Sequence, residues 1–118
     1  MEDRELIELA AKAINAKRHE PSFKGDVAKF TAEGYSGYFN PLHFKDQPLT
    51  LASQLDIDVQ FDAETETVSA LWVDGRGNPG KLKDILTICY RDRVKVECAA
   101  RVIVRAAAEI GKAMQEKH

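Results

Sequence analysis

Two repeat lengths divide the chain. Near its end, Ala99, Val102, Ile103, Ala106, Ile110, Ala113 and Met114 recur at three- and four-residue spacing, while Arg101, Arg105, Glu109, Lys112 and Glu116 fall opposite. That is one broad apolar stripe on an amphipathic helix running from about Arg93 to Gln115. Its alanines and Gly111 keep the stripe thin, so another element can approach the backbone closely, and the expected cover is a sheet. A second helix is predicted over Asp3 to Lys17, with Leu6, Leu9, Ala10, Ala13 and Ile14 inward. Acids at its start and Lys17-Arg18-His19 at its end suit the helix dipole, and Pro21 stops it. A third helix, Gln47 to about Leu55, buries Leu51, Ala52 and Leu55 behind Asp46 as N-cap, with Pro48 in its first turn.

Between these helices the period drops to two. Ile57, Val59 and Phe61 alternate with Asp58, Gln60 and Asp62, the pattern of a strand with one wet face. Thr67 to Val73 is a second strand with apolar residues on both faces, and Asp84 to Tyr90 is a third. Short connections make the three an antiparallel meander, because parallel neighbours need a crossover of about a dozen residues. Val27 to Thr31 reads as a short strand returning through Glu33-Gly34 into Tyr35 to Phe39, before Asn40-Pro41 ends the extended run. Three helices and a sheet apolar on both faces predict an α/β (α+β) fold: a three-layer α/β/α sandwich first, a two-layer α+β arrangement second.

Composition fits one domain over residues 1–118, long enough to bury roughly two-thirds of its unfolded surface. No apolar run has the length of a membrane span, and the acidic, amphipathic start is unlike a signal peptide. Cys89 and Cys98 are read as reduced thiols, so the expected setting is the cytoplasm. The net charge of −2 argues against a nucleic-acid binder using its whole surface. Yet residues 74–105 carry eight bases against four acids, leaving the rest of the chain acidic. A docking face for nucleic acid would then use Arg76, Lys81, Lys83, Arg91, Arg93 and Lys95.

Catalytic signals are thin. Gly75 to Gly80 spells G-x-G-x-x-G, but a strand-like segment follows where a dinucleotide fold needs a helix, so a hairpin loop is the better reading. His19, His43 and His118 stand apart, and Cys89 and Cys98 lack metal-ligand spacing, so no metal or cofactor is expected. Cys89 as a nucleophile needs a base, for which His43 is the one candidate in an ordered context. The acids Asp56, Asp58, Asp62, Glu64 and Glu66 lack the pattern of a calcium loop and read as a solvated face. Six of the nine aromatic residues lie between Ser22 and Phe44. Phe30, Tyr35, Tyr38, Phe39 and Phe44, interleaved with Lys24, Lys29 and Lys45, are either a stacking platform for single strands or anchors pinning an irregular segment to the core.

Two strings carry a family likeness. Phe39-Asn40-Pro41-Leu42 leads to Leu49-Thr50-Leu51-Ala52 and Leu55-Asp56-Ile57, and the last helix holds Arg101 to Met114, RVIVRAAAEIGKAM. With the N-terminal Leu-Ala-Ala-Lys-Ala, they resemble the phage ABA sandwich domain family, small proteins of bacteriophages and prophages. The resemblance implies helices on both sides of a sheet, and no activity or catalytic residue comes with it. Members place acids and a glycine ahead of the second helix; His43 to Gln47 departs from this, so no role of such acids carries over. Asn40 is read as structural, its side chain bonding nearby backbone at the turn.

The reading is therefore a phage or prophage accessory protein of the host cytoplasm, a non-catalytic module that binds a phage or host protein. Its expected docking residues are Tyr35, Tyr38, Phe39 and Phe44. Nucleic-acid binding through the basic stretch is the alternative, and a small enzyme the second alternative. Exposed sheet edges leave room for a homo-oligomer.

Overall fold

The computed structural model describes residues 2–21, 28–73 and 82–116. It is an α+β structure with three helices, a two-stranded sheet and a three-stranded sheet, in the order α1 (Asp3–Ala13), β1 (Lys17–His19), β2 (Lys29–Thr31), α2 (Gln47–Leu55), β3 (Asp58–Asp62), β4 (Thr67–Val73), β5 (Leu82–Cys89), α3 (Lys95–Glu116).

The first helix ends a turn earlier than its pattern predicts. Asn15 takes a left-handed conformation at φ 56°, and the Ala16 N–H returns to the Ala11 carbonyl at 2.9 Å. Asparagine tolerates that conformation better than most residues, so the helix closes there. Lys17–His19, expected as the basic end of the helix, instead pairs antiparallel with Lys29–Thr31. His19 Nε2 lies 2.8 Å from Thr31 Oγ1 across this small ribbon.

The predicted return strand Tyr35 to Phe39 does not form. Gly34 and Gly37, at φ 93° and 77°, turn the chain twice within four residues. Only the Phe39 N–H reaches back to β2, donating to the Phe30 carbonyl at 2.7 Å. Asp46 precedes α2 as expected but makes no side-chain cap. Its own backbone is already helical, and an N-cap needs extended backbone to aim its oxygen at the free N–H groups.

The larger sheet is the predicted meander, in order β3-β4-β5 with both pairs antiparallel. Val59, Phe61, Val68, Ala70, Leu86 and Ile88 share the face that α3 covers, and Val68 and Ala70 are sealed completely. On the opposite face Asp58, Gln60, Asp62, Thr87 and Cys89 are exposed, Ser69 and Thr87 share a 2.8 Å hydrogen bond, and Leu71 is buried. The second helical layer expected there is not found among the described residues. A face this polar needs no apolar cover.

All three helices instead meet at α3, which packs on β4 and β5 and takes α1 and α2 on its other flanks. Val102, Val104, Ala106, Ala107 and Ala108 are all buried, so the helix is enclosed on more sides than its single predicted stripe. The thin part of that stripe meets a helix, not the sheet. A Cβ at Gly111 would sit 1.9 Å from the Leu9 carbonyl oxygen of α1.

Candidate partner-docking groove

The segment between β2 and α2 is held by one side chain. Gln47, 2% exposed, accepts the Asn40 N–H at 2.6 Å through Oε1 and donates to the Tyr38 carbonyl at 2.9 Å through Nε2. A neutral amide satisfies both backbone groups at once, which no apolar or charged residue could do. The Asn40 carbonyl then accepts the N–H groups of His43 and Phe44, at 3.0 and 2.9 Å, coiling the chain after Pro41 into a helical turn. The turn therefore comes from the backbone of Asn40. Its side chain, expected to do this, leaves Oδ1 buried without a partner.

That turn presents Phe44 outward, edge-on to His43 with ring centroids 4.9 Å apart. Leu49, in the first turn of α2, is 77% exposed. Facing them across a groove of about 580 Å³ stand Val59 and Phe61 of β3 and Val96 of α3, with Ala99 and Ile103 at its base. Phe44, Leu49, Phe61 and Val96 are all at least 39% exposed, so four large apolar side chains converge on one opening. Monomeric surfaces seldom gather such residues without a partner to cover them.

The charges around the groove are mixed. Lys45, Glu97 and Arg101 contribute to its lining. Lys95 Nζ hangs 4.8 Å from the Phe61 ring centroid and 5.2 Å from that of Tyr90. Arg101 is tied to Asp3 of α1 by two parallel hydrogen bonds of 2.9 and 3.3 Å. The guanidinium beside Asp3, first by hydrogen bonding and then by its charge, holds that carboxyl below its ordinary range.

Of the four aromatic residues predicted to dock a partner, Tyr38, Phe39 and Phe44 line one hollow, and Tyr35 stands apart from it. Phe44 lines the groove. Tyr38 is exposed and lines a neighbouring hollow of about 390 Å³, which shares His43 and Phe44 with the groove, beneath Lys29 Nζ at 4.7 Å. Phe39 is 2% exposed and belongs to the core. Tyr35 is half-buried against it edge-on and donates to Gln54 Oε1 at 2.6 Å; burial pushes its hydroxyl up to about 12. With Phe30 and Phe39 buried, the segment anchors itself and offers no run of open rings for bases. Leu49, Phe61 and Val96 were missed. Their signal is that each is a large apolar residue outside the best helical stripe or on an edge strand.

Of the basic stretch, Arg91, Arg93 and Lys95 are exposed around the turn before α3, and Arg91 Nε contacts Glu66 Oε1 at 3.3 Å. Arg76, Lys81 and the side chain of Lys83 lie outside the described residues, as do the Gly75–Gly80 motif and His118. The strands that flank the motif pair antiparallel, unlike a dinucleotide-binding unit. Cys89 opens on the polar face of the sheet, whereas His43 lies by the groove on the helical side, so this pair forms no nucleophile and base. Among the described residues no three His, Cys, Asp or Glu side chains are grouped as a metal site requires, and no helix is long and apolar enough to cross a membrane. The chain matches no protein-family model, no curated protein and no solved structure.

Proposed function

We propose that this chain is a non-catalytic protein-binding module, a phage or prophage accessory protein of the host cytoplasm, and that the groove between Phe44, Leu49, Phe61 and Val96 is its docking surface. The convergence of those four exposed apolar side chains carries the reading. Interfaces draw most of their energy from a few buried apolar and aromatic anchors, and this groove offers them in one place. The phage setting is supported by the Asn40-Pro41-Leu42 segment and the Arg101–Met114 string.

The test is a tagged pull-down from host and infected-cell lysates, with and without nuclease, comparing the unaltered chain with Leu49→Glu and Val96→Glu. A specific protein retained through nuclease treatment and lost from both variants is the expected result. Retention by both variants would remove the groove. A second reading, nucleic-acid binding, is favoured by the adjacency of exposed Arg91, Arg93 and Lys95. It predicts material lost on nuclease treatment and affinity that falls steeply with salt.

A further inference from the structure

The larger sheet stops at β3, and the groove begins there. Among the described residues no strand pairs with the outer side of Asp58–Asp62. Alternate residues of an edge strand turn their N–H and C=O groups outward, a template for another strand. Beyond β3 the space is bounded by α3 below and by the Phe44 turn and Leu49 on the far side. The groove thus continues the helix-facing side of the sheet by the place a fourth strand would take.

We infer that the partner enters as an extended segment that adds to β3 as a fourth strand, with apolar residues alternating with basic ones. This rests on the proposed docking role of the groove and specifies its ligand. The alternation follows from β3 itself. Val59 and Phe61 face the groove, so residues opposite them point down toward Ala99 and Ile103 and must be apolar. Asp58 and Asp62 lie on the exposed face at the two ends of the strand, with Gln60 between them. Residues opposite the two acids are therefore basic, and the one between is polar. The resulting pattern, basic–apolar–polar–apolar–basic, reads the same in both chain directions.

The same acids disfavour a second copy of this chain. Two β3 strands paired antiparallel along their full length, centred on Gln60, would set Asp58 against Asp62 at both ends. Like charges directly opposite are destabilising. The Asp62 side chain is fixed at its end of the strand, where Oδ1 accepts the Glu64 N–H at 3.0 Å in the turn to β4.

The experiment uses the full chain and dye-labelled seven-residue peptides, acetylated and amidated, read by fluorescence anisotropy and by amide hydrogen exchange. A peptide with valines flanking a central glutamine and lysines outside them should bind. Its glutamate counterpart should bind about tenfold or more weakly, since two cross-strand pairs become repulsive; Asp58→Lys, which leaves one base and one acid on β3, should erase that preference, and Asp58→Lys with Asp62→Lys should invert it. Two further lysine peptides are N-methylated at one or the other set of alternate residues. Strand addition requires that one set abolish binding and the other, on the free outer edge, leave it unchanged. It also requires slowed exchange of alternate β3 amides. Tolerance of both methylated sets, or equal binding of lysine and glutamate peptides, would overturn strand addition while leaving the groove itself in use. No binding by any peptide would overturn it too, and the pull-down with Leu49→Glu and Val96→Glu then decides separately whether the groove docks a protein in another form. A dimer with protected β3 amides in the absence of peptide would overturn it in favour of a second copy.

Discussion

The two halves of α3 do opposite things with the same kind of residue. Toward its C-terminus Ala106, Ala107, Ala108 and Gly111 are buried, and α1 lies so close that no side chain fits between Gly111 and the Leu9 carbonyl. At its N-terminus Val96 is 65% exposed, and the helix lies along an open groove. Small residues let two helix backbones meet and exclude everything else. Larger ones, left without a neighbour of their own, create the demand for one.

The sharpest way to break the closed half is Gly111→Ala. In an open helix this change would help by about 1 kcal/mol through propensity. Here the added carbon meets backbone, which cannot rotate aside, so α1 and α3 must separate. We expect a loss of about 3 kcal/mol, at the upper end of the overpacking range, and a fall in Tm on the order of 10 °C. Lys112→Ala, one residue on and exposed, should stay within about 0.5 kcal/mol. Thermal melts of the two variants would refute the close contact if Gly111→Ala were neutral.

Gln47 does for the groove what Gly111 does for the helix pair. Gln47→Leu preserves approximate size but leaves the Asn40 N–H and the Tyr38 carbonyl without their partner. The cost should be about 2 kcal/mol, the range for stranding buried polar groups. Exchange at the Asn40 amide should quicken. Binding at the groove should weaken too, because the Phe44 turn starts from that carbonyl. A fully stable variant would show that Gln47 does not hold the loop.

Both positions bear on how much could be read from residue pattern. The period-two alternation from Ile57 to Asp62 and the stripe from Ala99 to Met114 locate the meander and its long helix, because each burial pattern repeats over several residues. Single-residue events leave no such repeat. Asn15 ends α1 early by adopting a left-handed backbone, and two glycines turn the would-be Tyr35–Phe39 strand into a loop. The aromatic segment was legible as a place where rings gather. Which rings face inward was not, since that depends on one glutamine reaching back to backbone groups seven and nine residues before it. Leu49, Phe61 and Val96 are read as groove residues only once β3, α2 and α3 are set side by side.

For the open half, Leu49→Glu and Val96→Glu should change stability by about 0.5 kcal/mol or less, because both side chains are largely in water. The acid placed at residue 96 also suits the start of α3. Each should weaken partner capture by about tenfold or more if these residues are interface anchors. Tyr38→Ala, in the neighbouring hollow, should leave capture within about twofold, as energetically neutral positions do. Equal losses from Tyr38→Ala and Val96→Glu would erase the boundary between groove and hollow.

The smallest effect lies where the two halves join. Arg101 lines the groove and also ties α3 to Asp3 at the start of α1. The Asp3 carboxyl is lowered in the folded chain, chiefly by the hydrogen bond from Arg101. A lowered carboxyl contributes stability that is fully present above its unfolded range, near pH 4, and lost as pH falls through the lower folded value. Both side chains are substantially exposed, 42% for Arg101 and 60% for Asp3, so screening by water keeps the contribution below about 1 kcal/mol. Asp3→Asn should therefore lower stability slightly at pH 7, and the difference from the unaltered chain should close as the pH is brought down to about 2. Raising salt to about 1 M at pH 7 should shrink it as well. A difference constant across both titrations would mean that Asp3 acts through the helix end of α1 or through packing, not through the ion pair that joins the sealed half of the molecule to the open one.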